Sequence, residues 1–110
     1  MAARQGAVID LSEATRARIR ATFPEGEWGE VALVLRERCA DNLPFVDPAW
    51  ITLVERIRFA VLKLAAGDRA ALERHLEAAA RDWRDVLVAA GFARDVTAHL
   101  LWMPEGPPAI

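Results

Sequence analysis

Apolar residues along this chain recur at helical spacing, and no strand-like alternation persists for more than a few positions. The first stretch, from about Leu11 to Thr22, places Leu11, Thr15, Ile19 and Phe23 on one side. Asp10 followed by Glu13 reads as a capping-box-like start, because the aspartate oxygen can accept one of the free backbone N–H groups of a first helical turn. Pro24-Glu25-Gly26 ends the segment. A second helix is predicted over about Glu27 to Ala40, with Trp28, Val31, Ala32, Leu35 and Cys39 forming one stripe. The connector Asp41–Asp47 contains Asn42, a residue able to take the left-handed conformation that closes a helix. Asp47-Pro48 then marks a third start, with proline at the position where its missing N–H costs nothing.

The third helix, about Pro48 to Ala66, carries apolar residues on two sides. Trp50, Leu53, Val54, Ile57, Val61 and Leu64 lie on one, and Ile51, Phe59 and Leu62 lie on the other. Only Thr52, Arg56 and Lys63 make a clear polar strip. Such a helix must pack on both sides and is therefore the expected centre of the fold. Gly67 ends it and Asp68 caps a fourth, about Arg69 to Ala80, with Leu72, Leu76 and Ala79 inward. Arg69, Glu73, Glu77 and Arg81 form a charged ladder outside. Asp82 then caps a short segment carrying Trp83, Val86, Leu87 and Ala90. Gly91 suits a left-handed stop, with Phe92 folding back onto Leu87 in a Schellman-type closure. Asp95 caps a last segment that runs to Trp102 and is stopped by Pro104. These segments imply an all-α fold, a compact five-helix orthogonal bundle around the third helix. Residues 1–104 are expected to form the single domain, with 1–9 and the Pro/Gly-rich stretch 105–110 as flexible flanks.

Composition narrows the partners more than the chemistry. The 110 residues carry a formal charge of −2, so no global field recruits nucleic acid or an acidic membrane. No stretch approaches the roughly 18–20 apolar residues of a membrane helix, and the first ten residues lack a signal-peptide core. One cysteine excludes an intrachain disulfide, and a cytoplasmic location is the expectation. Cys39, His75 and His99 are too few and too scattered for a structural zinc site, and no cofactor is implied. A protein partner or a homodimer is compatible with this composition.

Candidate functional residues concentrate between Arg81 and Trp102. His99 shares a helical face with Val96, Leu100 and Met103, and Asp95 one turn earlier could orient it. A packed histidine bonded to a carbonyl or carboxylate is the plainer reading. Asp82, Arg84 and Asp85 look like an acid–base cluster, yet helix-start physics accounts for both aspartates and leaves Arg84 as an ion-pair partner. Trp102 either locks the last helix down or, with Met103, marks a contact surface. Glu55 and Arg58 are expected to form an exposed pair, an interhelical polar node being the alternative. Cys39 reads as an inert buried thiol.

The helix–glycine–helix outline from Trp83 to Trp102 raises DNA binding, but its second helix holds no Lys or Arg, and Arg16, Arg18 and Arg20 are the only basic cluster. Arg84, His99, Trp102 and Met103 are thus the candidate surface. The expected role is a non-enzymatic interaction or regulatory module. A small enzyme using His99 with a nearby carboxylate and a nucleic-acid binder are the rivals.

The words ERIRFAVLKL (Glu55–Leu64), the pair Gly67-Asp68, and DWRDVLVAAGFARDVTAHLLW (Asp82–Trp102) resemble a group of small bacterial proteins of about a hundred residues, over roughly Trp28 to Pro104. The resemblance implies a compact bacterial domain and carries no activity, cofactor or site residue to these positions.

Overall fold

The fold was described from a computed structural model covering residues 10–40, 43, 51–95 and 97–104. Among the described residues there are five α-helices: α1 (Glu13–Thr22), α2 (Trp28–Arg38), α3 (Ile51–Ala65), α4 (Arg69–Ala90) and α5 (Ala98–Leu101). A single 3-10 turn, Glu25–Glu27, leads into α2. No strand occurs among the described residues, so the chain is all-α. The expectations that rest on Asn42, Asp47-Pro48, Trp50, Val96 and the two flanks lie outside the described residues.

The start of α1 corrects the sequence reading. Ser12, not Asp10, is the N-cap, its Oγ accepting from the Thr15 N–H at 3.1 Å. Asp10 instead accepts from the N–H of Leu11 at 2.8 Å. Serine and aspartate serve equally well at this position, and the two-residue shift places Leu11 in the core ahead of the first turn. The predicted inner face is otherwise observed: Leu11, Thr15, Ile19 and Phe23 are all buried.

α3 and α4 form the main packing unit, and α3 also touches α1 and α5. Every residue from Ile57 to Leu62 is buried, which fits a helix with apolar side chains on two faces. Each fully buried Ile, Leu or Phe contributes about 1.5–3 kcal/mol relative to exposure. The hairpin between α3 and α4 turns at Ala66 (φ 52°) and Gly67 (φ 83°). A side chain at Gly67 is excluded twice over, by the left-handed backbone and because its Cβ would lie 2.3 Å from the Thr22 carbonyl oxygen. Asp68 then caps α4 by accepting from the Ala70 N–H.

α4 is two helical segments joined at Asp82, whose φ of −163° and ψ of 98° are extended. The predicted second start is therefore real. The carboxylate accepts from the Arg84 N–H at 3.1 Å. At the far end Gly91 adopts φ 84°, its N–H bonding Val88 O while that of Phe92 bonds Leu87 O. Those are the two bonds of a Schellman closure, and both Phe92 and Leu87 are buried. The charged ladder on α4 points elsewhere than expected. Arg69 pairs with Glu30 at 2.8 Å and Glu73 with Arg38, so it ties α4 to α2 rather than running along α4.

Candidate functional site

The last described segment turns after Asp95, whose Oδ1 accepts from both the N–H and the hydroxyl of Thr97 at 2.9 and 2.8 Å. These bonds, the Thr97 N–H first, hold the Asp95 carboxyl below its usual range. α5 is only one turn long. Around its ends, bonds from Ala98 N–H to Asp95 O, Leu100 N–H to Thr97 O and Trp102 N–H to His99 O span three residues each. The helix is too short to carry the face on which His99, Leu100 and Met103 were expected to lie together: Met103 falls beyond its extended C-cap Trp102, and Leu100, next to His99, is about 100° round the axis. His99 points inward with no exposed surface, while Leu100 and Met103 are each 54% exposed and Leu101 is 87% exposed.

His99 is therefore enclosed, in keeping with the plainer packed-histidine reading, and presents no surface of its own to a partner. Its ring sits edge-on to Phe59, with centroids 5.2 Å apart, and to Phe92 at 6.2 Å. Trp102 shares the same two aromatic neighbours, each at 6.3 Å, and is half-buried. It is the lock rather than the exposed contact. Met103 is the one candidate at the C-terminal end that the structure leaves open to solvent.

What holds this turn in place is Arg18, a residue the sequence reading grouped with a basic cluster. Arg18 is only 7% exposed. Its Nε and Nη2 donate to Trp102 O at 3.1 and 2.8 Å, and Nη1 donates to Ala14 O at 2.9 Å. The guanidinium carbon lies 4.1 Å from the centre of the Phe59 ring and 5.8 Å from that of Trp102. Desolvation lowers its pKa, with the Glu55 carboxylate opposing. Weak hydration and a planar fork suit arginine to such a site.

The three cations of α3 act in the same way. Arg58 is 2% exposed, so the expected exposed pair with Glu55 is not found. Arg58 donates from Nε to Cys39 O at 2.7 Å and from Nη1 to Asp10 O at 3.0 Å. Glu55 accepts the Ser12 hydroxyl at 2.7 Å. The interhelical node, the alternative reading of these two residues, is what the fold contains. Arg56 bonds the carbonyls of Phe92 and Ala93. Lys63 donates to Ala90 O at 2.8 Å and lies 4.9 Å over the Phe92 ring. In each case a charged donor meets carbonyl oxygens where a helix or loop has left them without a backbone partner. A hint exists in the sequence: all three sit on a helix too apolar to be exposed.

Cys39 is fully buried, and burial pushes its thiol up to about 12 against the opposing effect of Arg58. A thiol so placed is a poor nucleophile at neutral pH. His75 is half-buried, its pKa lowered by burial and then by Arg74. Arg84 is exposed and forks onto Asp82, Nε to Oδ1 at 2.8 Å and Nη2 to Oδ2 at 2.9 Å. This pairing lowers the aspartate pKa. Among the described residues no group of three or more His, Cys, Asp or Glu could hold a metal ion. No helix of the described chain is long and apolar enough to cross a membrane.

Compared with protein-family models, with curated proteins and with solved structures, the chain matches none of them.

Proposed function

We propose that this protein is an interaction or regulatory module that contacts a protein partner through its C-terminal turn. The observation that carries the reading is the pairing of exposure with anchorage in four consecutive residues. Leu100, Leu101 and Met103 present apolar side chains to solvent. The backbone between them is held by the two Arg18 bonds to Trp102 O. Clustered exposed apolar side chains mark contact sites more often than scattered ones do. A backbone ordered in advance lowers the entropy cost of association.

The rival readings have less behind them. A His99 enzyme needs substrate at a ring that has no exposed surface. A nucleic-acid binder through the C-terminal helical pair needs basic residues on its second helix, whereas α5 carries no Lys or Arg and Arg18 is buried against Trp102.

Site-specific photo-cross-linking tests the reading. p-Benzoylphenylalanine replaces Leu101 in one variant and Val88, which is 66% exposed, in a control. A discrete cross-linked product from position 101 that is absent from position 88, and that Met103→Asp abolishes without altering the circular dichroism spectrum, is the expected result. Equal labelling from both positions would overturn it. A product consisting of two copies of this chain would identify the partner as a homodimer.

A further inference from the structure

Away from the C-terminal turn, α1 and α2 leave an open groove between them. Arg16 and Arg20 lie on the side of α1 opposite Arg18, and so face this groove rather than Trp102. One part of it, about 160 Å³, is floored by Ile19, Trp28 and Ala32. A second part of about 250 Å³ shares Arg16, Gly29 and Ala32 with the first and continues past Leu11 and Leu33 to Arg36. Drug-sized ligands occupy about 300–1,000 Å³, so each part has the scale of a single bulky side chain rather than of a free metabolite.

Three features specify what would fill it. The floor is apolar, and Leu33 at its edge is 50% exposed. The charged side chains of the lining are all arginines: Arg16, Arg20 and Arg36. Gly29 stands in the first turn of α2, where a Cβ would meet nothing within 4 Å. Glycine there costs helix stability without any backbone requirement, and its missing side chain keeps the groove open. The arginines are engaged only by exposed carboxylates. Arg16 and Arg36 share Asp10 at 3.2 and 3.8 Å, and Arg20 meets Glu13. Exposed pairs of this kind contribute about 0–1 kcal/mol, so a partner's carboxylates can exchange with them. The chain's own Asp10-Leu11 shows the arrangement in miniature, with the carboxylate on two arginines and the adjoining leucine buried.

We infer that the α1–α2 groove docks an acidic peptide segment of a partner protein, with one apolar side chain entering over Gly29 and flanking carboxylates meeting Arg16, Arg20 and Arg36. Recognition of this kind places apolar anchors in pockets and uses charge for register and specificity. This surface is separate from the C-terminal turn and does not depend on it.

Panning the whole protein against a displayed library of linear peptides tests the inference. Enriched sequences should combine a Leu, Met, Phe or Trp with nearby Asp or Glu. The best peptide, synthesised with a fluorophore, should bind with an affinity that falls as salt is raised. Gly29→Leu fits the open space and favours the helix, so it should fold at least as well as the parent while weakening the peptide about tenfold or more. Arg16→Ser with Arg20→Ser should weaken it comparably, and Leu101→Asp should leave it unchanged. The inference is overturned by an absence of enrichment, by enriched peptides without acidic residues, or by full binding to Gly29→Leu. Loss of binding in Leu101→Asp would also overturn it, by moving the peptide to the other surface. So would binding to phosphatidylglycerol vesicles that displaces the peptide.

Discussion

The α3–α4 hairpin and the seams where the rest of the chain meets it are held by different physics. Within the hairpin, apolar side chains from Val54 to Leu62 and from Leu72 to Leu87 are removed from water, and the stabilisation is non-directional. At the seams, Arg18, Arg56 and Arg58 each reach across to backbone carbonyls outside their own helix. Burial supplies most of the free energy, and the cations decide where the ends of the chain are set down. A helix of four residues such as α5 could not hold itself in water. Its position is owed to Phe59, Phe92 and the Arg18 fork.

The sharpest way to break the hairpin is Phe59→Ala. Phe59 is fully buried and touches both His99 and Trp102, so the change should cost about 3–5 kcal/mol in a denaturant titration and loosen α5 as well. Arg58→Ala comes next, at about 3 kcal/mol, because it strands the carbonyls of Cys39 and Asp10. Arg58→Lys should recover only part of this loss, since one ammonium cannot reproduce the fork. If Arg58→Ala proves harmless, the seams are held by burial after all and the comparison fails.

Arg18→Met keeps much of the apolar stem and removes the donors to Trp102 O. It should cost about 1–2 kcal/mol, concentrated as faster amide exchange in Ala98–Trp102 while α3 and α4 exchange as before. The smallest effect is acid sensitivity of the two aspartates that start helical turns. Asp82 and Asp95 have folded pKa values below 3.8. Their contribution is present above that unfolded value and is lost as pH falls through the lower folded one. Asp82→Asn and Asp95→Asn should each flatten the melting-temperature profile below about pH 4, lowering it slightly at pH 7, where the carboxylate contributes, and less in acid, where that contribution is already lost.

How much of this was legible depends on how local the cause is. Gly67, Asp68, Asp82 and Gly91 act through bonds to residues within a few positions, and their predicted roles are observed, whereas Asp95 bonds Thr97 in the turn ahead of α5, whose N-cap is Thr97. The inner faces of α1, α2 and α4 follow their periodicity. Reading failed where the period did. α5 is too brief, at four residues, for a 3.6-residue repeat to say that His99 faces in while Leu100 faces out. Reading also failed for Arg18 and Arg58. An arginine in an exposed ion pair and an arginine buried against carbonyls look alike until the element carrying those carbonyls has been placed. The groove at Gly29 has the same character, because only the approach of α1 to α2 turns a helical glycine into an opening.

The sequence by itself determined an all-α chain, the third helix as its centre, and most of the starts and stops, since caps and apolar stripes are satisfied within one or two turns. Only the tertiary structure decided that His99 is enclosed, that Trp102 is a lock, and that the cations of α1 and α3 fasten the chain's seams. Those outcomes depend on which carbonyls and rings arrive from distant elements, and long side chains carry no record of that in their spacing.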